Sequence, residues 1–297
     1  MAASKPKAAK SSAREAARLL ALGAALDEVR ARCDVEARRN ADPVGVVHRY
    51  ESAEDRELVA LVASALAFGN VKALRAKIED ALERLGPDVA RVAEDSERCL
   101  ALLAGWKHRV YKDRDLVGLL VGARAVQRRH GSLGKALAFE RARSDDLKTA
   151  LSAWTSAIRA AGGLDREGAG AGAAHILANP GKGSAVKRLM LLLRWMSRPA
   201  DGVDLGLWDL SPSELVVPLD THIHKLGRNL GLTDRRDVSW KTATEITRGL
   251  ARFDAADPVK YDFSLCHLGM LQRCPSRRDE VRCEGCGVKP VCRHWAR

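Results

Sequence analysis

The chain is poor in aromatic residues, which make up 4% of its 297 positions, and it has no apolar run long enough to cross a bilayer. A spanning helix needs about 18 or more uncharged apolar residues. The best stretches, 58–68 and 189–193, are far shorter, and Arg194 follows the second directly. Alternating runs of Val, Ile and Thr between tight turns are nearly absent, which excludes a sandwich or barrel of strands. No internal repeat is present. The opening MAASKPKAAKSSAREAARLL lacks the apolar segment of a secretory leader. The seven cysteines are therefore expected in a reducing compartment, where clustered thiols point to metal before disulfides. A cytoplasmic protein with no membrane contact is expected.

What is present is charge and helical periodicity. Apolar residues at 46% and charged residues at 30% exclude general disorder, and the formal net charge is +12. A basic excess of this size favours a polyanionic partner. A chain of this length buries roughly 75% of its unfolded surface, so it needs neither disulfides nor metal to fold. Two lobes or one large domain are expected. Residues 1–18, with Lys5, Lys7, Lys10, Arg14 and Arg18 against Glu15 alone, read as a disordered basic arm. The spacing of apolar residues predicts helices over 20–32, 55–67, 71–85, 97–104, 113–130, 133–141, 147–161, 175–178, 184–197, 220–230, 239–253 and 259–271. Gly231 fits the position just past a helix end, and Ser239 fits an N-cap. The fold class is all-α.

Three segments carry chemistry. Cys274, Cys283, Cys286 and Cys292 follow C-x8-C-x2-C-x5-C. Structural zinc sites more often pair two such close couples, whereas a cubane takes one thiolate from each of four directions. The pattern favours a [4Fe–4S] cluster, with zinc or disulfides as the alternatives. Seven basic residues against three acids between Arg273 and Arg297 make this tail either a phosphate-facing knuckle or a solvated charged end. Between two helices, Pro180-Gly181-Lys182-Gly183 reads as an ordinary turn or as a phosphate clamp of backbone N–H groups and a helix N-terminus, with Ser184 and Lys187 beside it. Asp220, in Pro218-Leu219-Asp220-Thr221-His222, is a helix N-cap in the plain reading. In the sharper reading it is a pocket carboxylate that stabilises a cationic sugar. Cys33, Cys99 and Cys266 read as free buried thiols.

Together these segments resemble the helix-hairpin-helix DNA glycosylases of the endonuclease III and adenine glycosylase type. NPGKGSAVKRL is similar to the hairpin, LDTHIHKLGRNLGL to the motif that holds the catalytic aspartate, and the cysteine tail to the cluster loop. ASALAFGNVKAL resembles the helix-break-helix that lines the intercalating and base-pocket region. Within that superfamily, SAVKRLMLLLRWM, PLDTHIHKLGR and DPVKYDFSLCHLG are closest to an uncharacterised bacterial branch.

The resemblance implies a two-lobed fold. Residues 19–54 and 215–273 would form one lobe, residues 55–214 a helical barrel with the hairpin near 175–197, and residues 274–297 the cluster loop. It implies Asp220 as catalytic; Gly181, Lys182, Gly183, Ser184 and Lys187 against DNA; and Leu66, Phe68, Asn70 and His222 at the pocket or intercalation site. A monovalent cation at the hairpin is a further ligand of the kind implied. Aligned on the hairpin, Ala185 stands where bifunctional members carry their Schiff-base lysine. Lys187, two residues on, would lie about 200° around a helix begun at Ser184. The expectation is a monomeric, monofunctional, nucleoid-associated glycosylase that flips a damaged base out of double-stranded DNA and leaves an abasic site. A non-catalytic iron–sulfur DNA-binding or lesion-sensing protein is the alternative.

Overall fold

The computed structural model describes residues 5–295, and among these the chain is mainly helical. The helices are α1 (Lys5–Ala31), α2 (Val35–Ala41), α3 (Ala53–Leu66), α4 (Val71–Leu85), α5 (Val89–Val92), α6 (Ser96–Leu102), α7 (Asp113–His130), α8 (Leu133–Ala142), α9 (Leu147–Ala161), α10 (Ala171–Ile176), α11 (Lys187–Ser197), α12 (Thr221–Asn229), α13 (Trp240–Leu250) and α14 (Asp262–Leu271). A two-stranded antiparallel hairpin, β1 (Lys107–His108) and β2 (Tyr111–Lys112), interrupts them. Periodicity missed it, because strands of two residues carry no alternation to detect.

Capping explains many of the helix starts. The side chains of Ser52, Asn70, Ser132, Asp146 and Ser239 each accept a hydrogen bond from a backbone N–H in the first turn of the helix that follows. Gly231, with φ +76°, stands just beyond α12 as its sequence position implied. The arm expected over residues 1–18 is corrected from Lys5 onward. There α1 continues through the Ala-rich run, and Arg18 donates to the Leu230 carbonyl at 2.9 Å. Met1–Ser4 lie outside the described residues.

α3 is the centre of the molecule. From Leu58 to Leu66 every side chain is buried, so this helix is apolar all round rather than on one stripe. It packs on α11, α7 and the 3-10 turn Pro43–Arg49. α7 and α8 pack on α9, while α12 packs on α14. α1 packs on α14 and on the 3-10 turn Lys289–Val291, so the first helix lies against the C-terminal tail.

The long link over 198–218 crosses this body as a strap. The Leu205 and Trp208 N–H groups donate to the Trp195 and Met196 carbonyls, both at 2.7 Å. The Trp208 indole donates to Glu57 at 2.6 Å, and buried Asp204 pairs with Arg194 and Arg198. The insertion therefore holds α3 and α11 together.

Candidate active site

Asp220 is the N-cap of α12 and divides its two oxygens between two jobs. Oδ1 accepts from the His222 and Ile223 N–H groups, each at 2.9 Å, which satisfies first-turn donors of the helix. Oδ2 is left for side chains: the Lys187 ammonium lies 3.4 Å away, and the Cys266 thiol donates to it at 3.7 Å. The carboxylate side chain is 14% exposed and the lysine 32%. Burial, and then the Asp220 and Asp262 carboxylates, push the Cys266 thiol well above its ordinary pKa, so it stays protonated.

The position of Lys187 corrects the sequence expectation. α11 begins at Lys187 and not at Ser184, because Val186 takes a left-handed conformation at φ 40°, ψ 46°. The count of about 100° per residue therefore does not run through residues 184–187. Ala185, expected to face the site, is 2% exposed and packs in the core, whereas Lys187 lines the cavity beside Asp220. A β-branched residue in this region is strained, and such strain concentrates at functional sites.

Lys187 and Asp220 open on a cavity of about 1150 Å³. One wall comes from α3, α10 and α11. There Phe68 meets His175 and Tyr111 edge-on at 5.4 Å, and the Arg188 guanidinium stands over the Phe68 ring. Arg188 donates to the carbonyls of Ala65, His175 and Ile176 and to the Tyr111 hydroxyl, which also bonds the His175 ring at 2.7 Å. Burial raises the Tyr111 hydroxyl to about 12.

The opposite wall comes from α14 and the 3-10 turn at Pro43. Asp42, Asp262, Phe263, Cys266 and His267 line it. Burial pushes Asp262 up to about 6, against the pull of the Arg194 guanidinium that binds its Oδ2. Burial, with Arg38 and Arg194 nearby, lowers His267 to about 4. The neutral His267 ring stands 4.4 Å from the Phe263 ring, and its Nε2 is 3.8 Å from Asp42. Asp262, Phe263 and His267 fall within DPVKYDFSLCHLG, a segment that carried the family resemblance but assigned them no role, and Asp42 stood in a polar link between helices.

The remaining expected residues divide. Phe68 and His222 line the cavity. Leu66 does not: it is fully buried in α3, which corrects the intercalation reading, since a side chain inside the core cannot reach a base step. Asn70 caps α4 through the Ala73 N–H at 3.1 Å and is absent from the cavity lining. Val71 and Val238, both exposed, stand at the cavity instead.

In the hairpin two expected outward donors are turned inward. The Gly181 N–H donates to Asn179 Oδ1 at 2.8 Å, and the Gly183 N–H to the Pro180 carbonyl at 3.1 Å. Asn179 in turn donates to the Ser152 carbonyl and the Ser156 hydroxyl, which fastens the turn to α9. Gly183 has φ +84°, and a Cβ added there would meet open space. Ser184 is exposed and bridges to Ser239. The Lys182 side chain lies outside the described residues.

Cys283 and Cys292 are buried, Cys274 and Cys286 half-buried, and none is in a disulfide. Burial raises the thiols of Cys274, Cys286 and Cys292, and their fellow cysteines push the same way, so the four lie within electrostatic reach of one another. Four soft donors gathered in one loop fit a cluster in type. Among the described residues, no three His, Cys, Asp or Glu side chains close around a common point. No helix among them is long and apolar enough to cross a membrane.

The fold and site thus define a largely helical protein with an amine–carboxylate pair at the edge of a cavity. A family described as a protein of unknown function, DUF2400, matches residues 42–271, well over half of the chain, and the protein belongs to it. That span contains the hairpin, Lys187, Asp220 and both cavity walls, and stops before the four tail cysteines. No curated protein and no solved structure matches the chain.

Proposed function

We propose that this chain is a DNA base-excision N-glycosylase of the helix-hairpin-helix kind, acting as a monomer on double-stranded DNA. The observation that carries the reading is the Lys187–Asp220 pair, 3.4 Å apart at the edge of the cavity. The net charge of +12 supplies sequence-independent attraction to phosphates, with Gly183 and Ser184 as the exposed approach at the hairpin. A target nucleotide leaves the stack and enters the cavity, which at about 1150 Å³ has room for it.

Asp220 Oδ2 stabilises positive charge on the deoxyribose as the N-glycosidic bond breaks. With Asp220 ionised throughout, the Lys187 amine, its ammonium proton given up to water, forms a bond to C1′ while the base departs with the bonding electrons and takes a proton from water. Transfer of a proton from that nitrogen to the ring oxygen O4′ then breaks the C1′–O4′ bond and gives an imine between protein and DNA. This replaces the water attack expected when Lys187 was counted onto the far side of its helix.

The tail is proposed to bind a [4Fe–4S] cluster through Cys274, Cys283, Cys286 and Cys292, with a structural role for the basic loop. Anaerobically purified protein should carry about four irons per chain. Zinc in place of iron would overturn that assignment.

The reading is tested on a panel of duplexes, each with one damaged or mispaired base. Wild type should release a base from at least one, and Lys187→Ala should release none while still binding DNA. Absence of release from every duplex, with the cluster loaded, would refute it.

A further inference from the structure

Asp42 precedes the 3-10 turn at Pro43 and divides its oxygens much as Asp220 does. Oδ1 accepts from the Val44 N–H at 3.0 Å and caps the turn. Oδ2 has no hydrogen bond among the described residues; His267 Nε2 stands 3.8 Å from it, beyond hydrogen-bond reach. The side chain is 22% exposed and lines the cavity together with Lys187 and Asp220. Asp262 Oδ1 and His267 Nε2 on the same wall also lack partners, but both are sealed from solvent. Asp42 therefore holds the carboxylate oxygen of this wall that water can reach.

Lys187 lies 3.4 Å from Asp220 as an ammonium, and an ammonium has no lone pair with which to attack. Asp220 keeps its charge for the sugar, so the proton has to go elsewhere. Resting on the glycosylase reading above, we propose that Asp42 is the proton carrier of the site. One water accepts the proton from the Lys187 nitrogen and donates to Asp42 Oδ2, which leaves a free amine and a neutral carboxyl. The amine bonds to C1′ and the glycosidic bond breaks. The Asp42 O–H then returns its proton, again through water, to the nitrogen of the departing base. One proton has passed from Lys187 to the base, and Asp42 ends ionised as it began.

The surroundings agree with that task. Burial raises the Asp42 carboxyl above its usual range; Arg194 and Lys187 on α11 pull it down, and Asp204 of the strap pushes it up. His267 on α14 stays neutral and adds no charge.

The test uses full-length protein in single turnovers, with two readouts across pH. One is base release from a duplex that wild type cleaves; the other is cyanoborohydride trapping on an abasic duplex, where no base departs. Asp42→Asn keeps an oxygen for the Val44 N–H but stores no proton. Base release at pH 7 should slow about 100-fold. The wild-type rate should rise with pH and level off once Asp42 is ionised, whereas the variant rate should climb on without a plateau. The wild-type plateau is required even if the variant does not fold. An unchanged rate in Asp42→Asn would overturn the proposal and leave the glycosylase reading standing. A slower rate with the plateau kept would also overturn it, because that is the mark of a structural role. Trapping that loses its plateau in Asp42→Asn, without base release from any duplex, would sustain the transfer from Lys187 and refute the glycosylase reading. Neither trapping nor release by wild type would overturn both.

Discussion

Among the acidic side chains at helix N-termini in this protein, Glu57 and Asp220 are used differently. Glu57, 3% exposed, meets the start of α8. It accepts from the Leu133 and Gly134 N–H groups, the Gln127 amide and the Trp208 indole, at 2.6–3.1 Å. Both oxygens are occupied. Asp220 caps α12 with one oxygen and holds the other toward Lys187 and the cavity. The two walls of the cavity repeat the contrast. On the Phe68 side, Arg188, Tyr111 and His175 share hydrogen bonds with one another and with backbone, whereas Asp262 and His267 each keep a free atom.

The contrast is broken most strongly at Glu57. Glu57→Ala strands four donors in the interior and should cost about 3–5 kcal/mol in a denaturant titration, with strap and α8 loosened together. Asp220→Asn should do the reverse. Asparagine caps a helix nearly as well, so stability should stay within about 1 kcal/mol of wild type. Base release in single turnovers should slow about 100- to 1000-fold, because the charge facing the sugar is gone. An Asp220→Asn variant that unfolds easily yet retains activity would erase the distinction.

A pH series sharpens the same point on the α14 wall. Unfolded histidine takes up its proton near 6.5, but folded His267 does so only near 4. Between those values the unfolded chain binds more protons, so this residue's contribution falls as the pH falls. Wild type should lose on the order of 2 kcal/mol relative to His267→Gln from pH 6.5 to 4, and nothing above 6.5. Asp262 works in the opposite sense. Its folded pKa near 6 lies above the ordinary 3.8, so its protonation favours the folded state as the pH drops. Comparing wild type with the His267 variant isolates the histidine contribution; the wild-type curve alone contains both.

The smallest effect belongs to the hairpin. Gly183→Ala meets no neighbour, so its cost should be the left-handed backbone alone, about 1 kcal/mol in a thermal melt. A larger side chain there should weaken binding to every duplex alike, measured against salt concentration.

Much of this framework was legible in the residues. α4, α7 and α9 run between the positions that apolar spacing and caps define, and Asp220 opens α12 as its N-cap. Local chemistry decides such features. The start of α11 was not legible, because nothing local marks a valine for a left-handed conformation; burial of Ala185 and Val186 in the core accompanies it. That single residue reversed the direction expected for Lys187. The α14 wall was hidden for another reason. Asp42 and the 262–267 segment lie more than 200 positions apart and meet only through packing, so neither looks like part of a site alone. Leu66 failed through its neighbourhood: a helix buried on all sides leaves no face for a wedge.

The central claim is that Lys187 attacks the sugar while Asp220 supports it. Borohydride reduction during reaction with a lesion or abasic duplex tests it most directly, because it turns a lysine imine into a stable protein–DNA bond. The account predicts a covalent adduct for wild type, none for Lys187→Ala, and a peptide carrying the modification at Lys187. Base release with no adduct would assign the attack to water, and an adduct that persists in Lys187→Ala would assign it to another amine; either result would contradict the account.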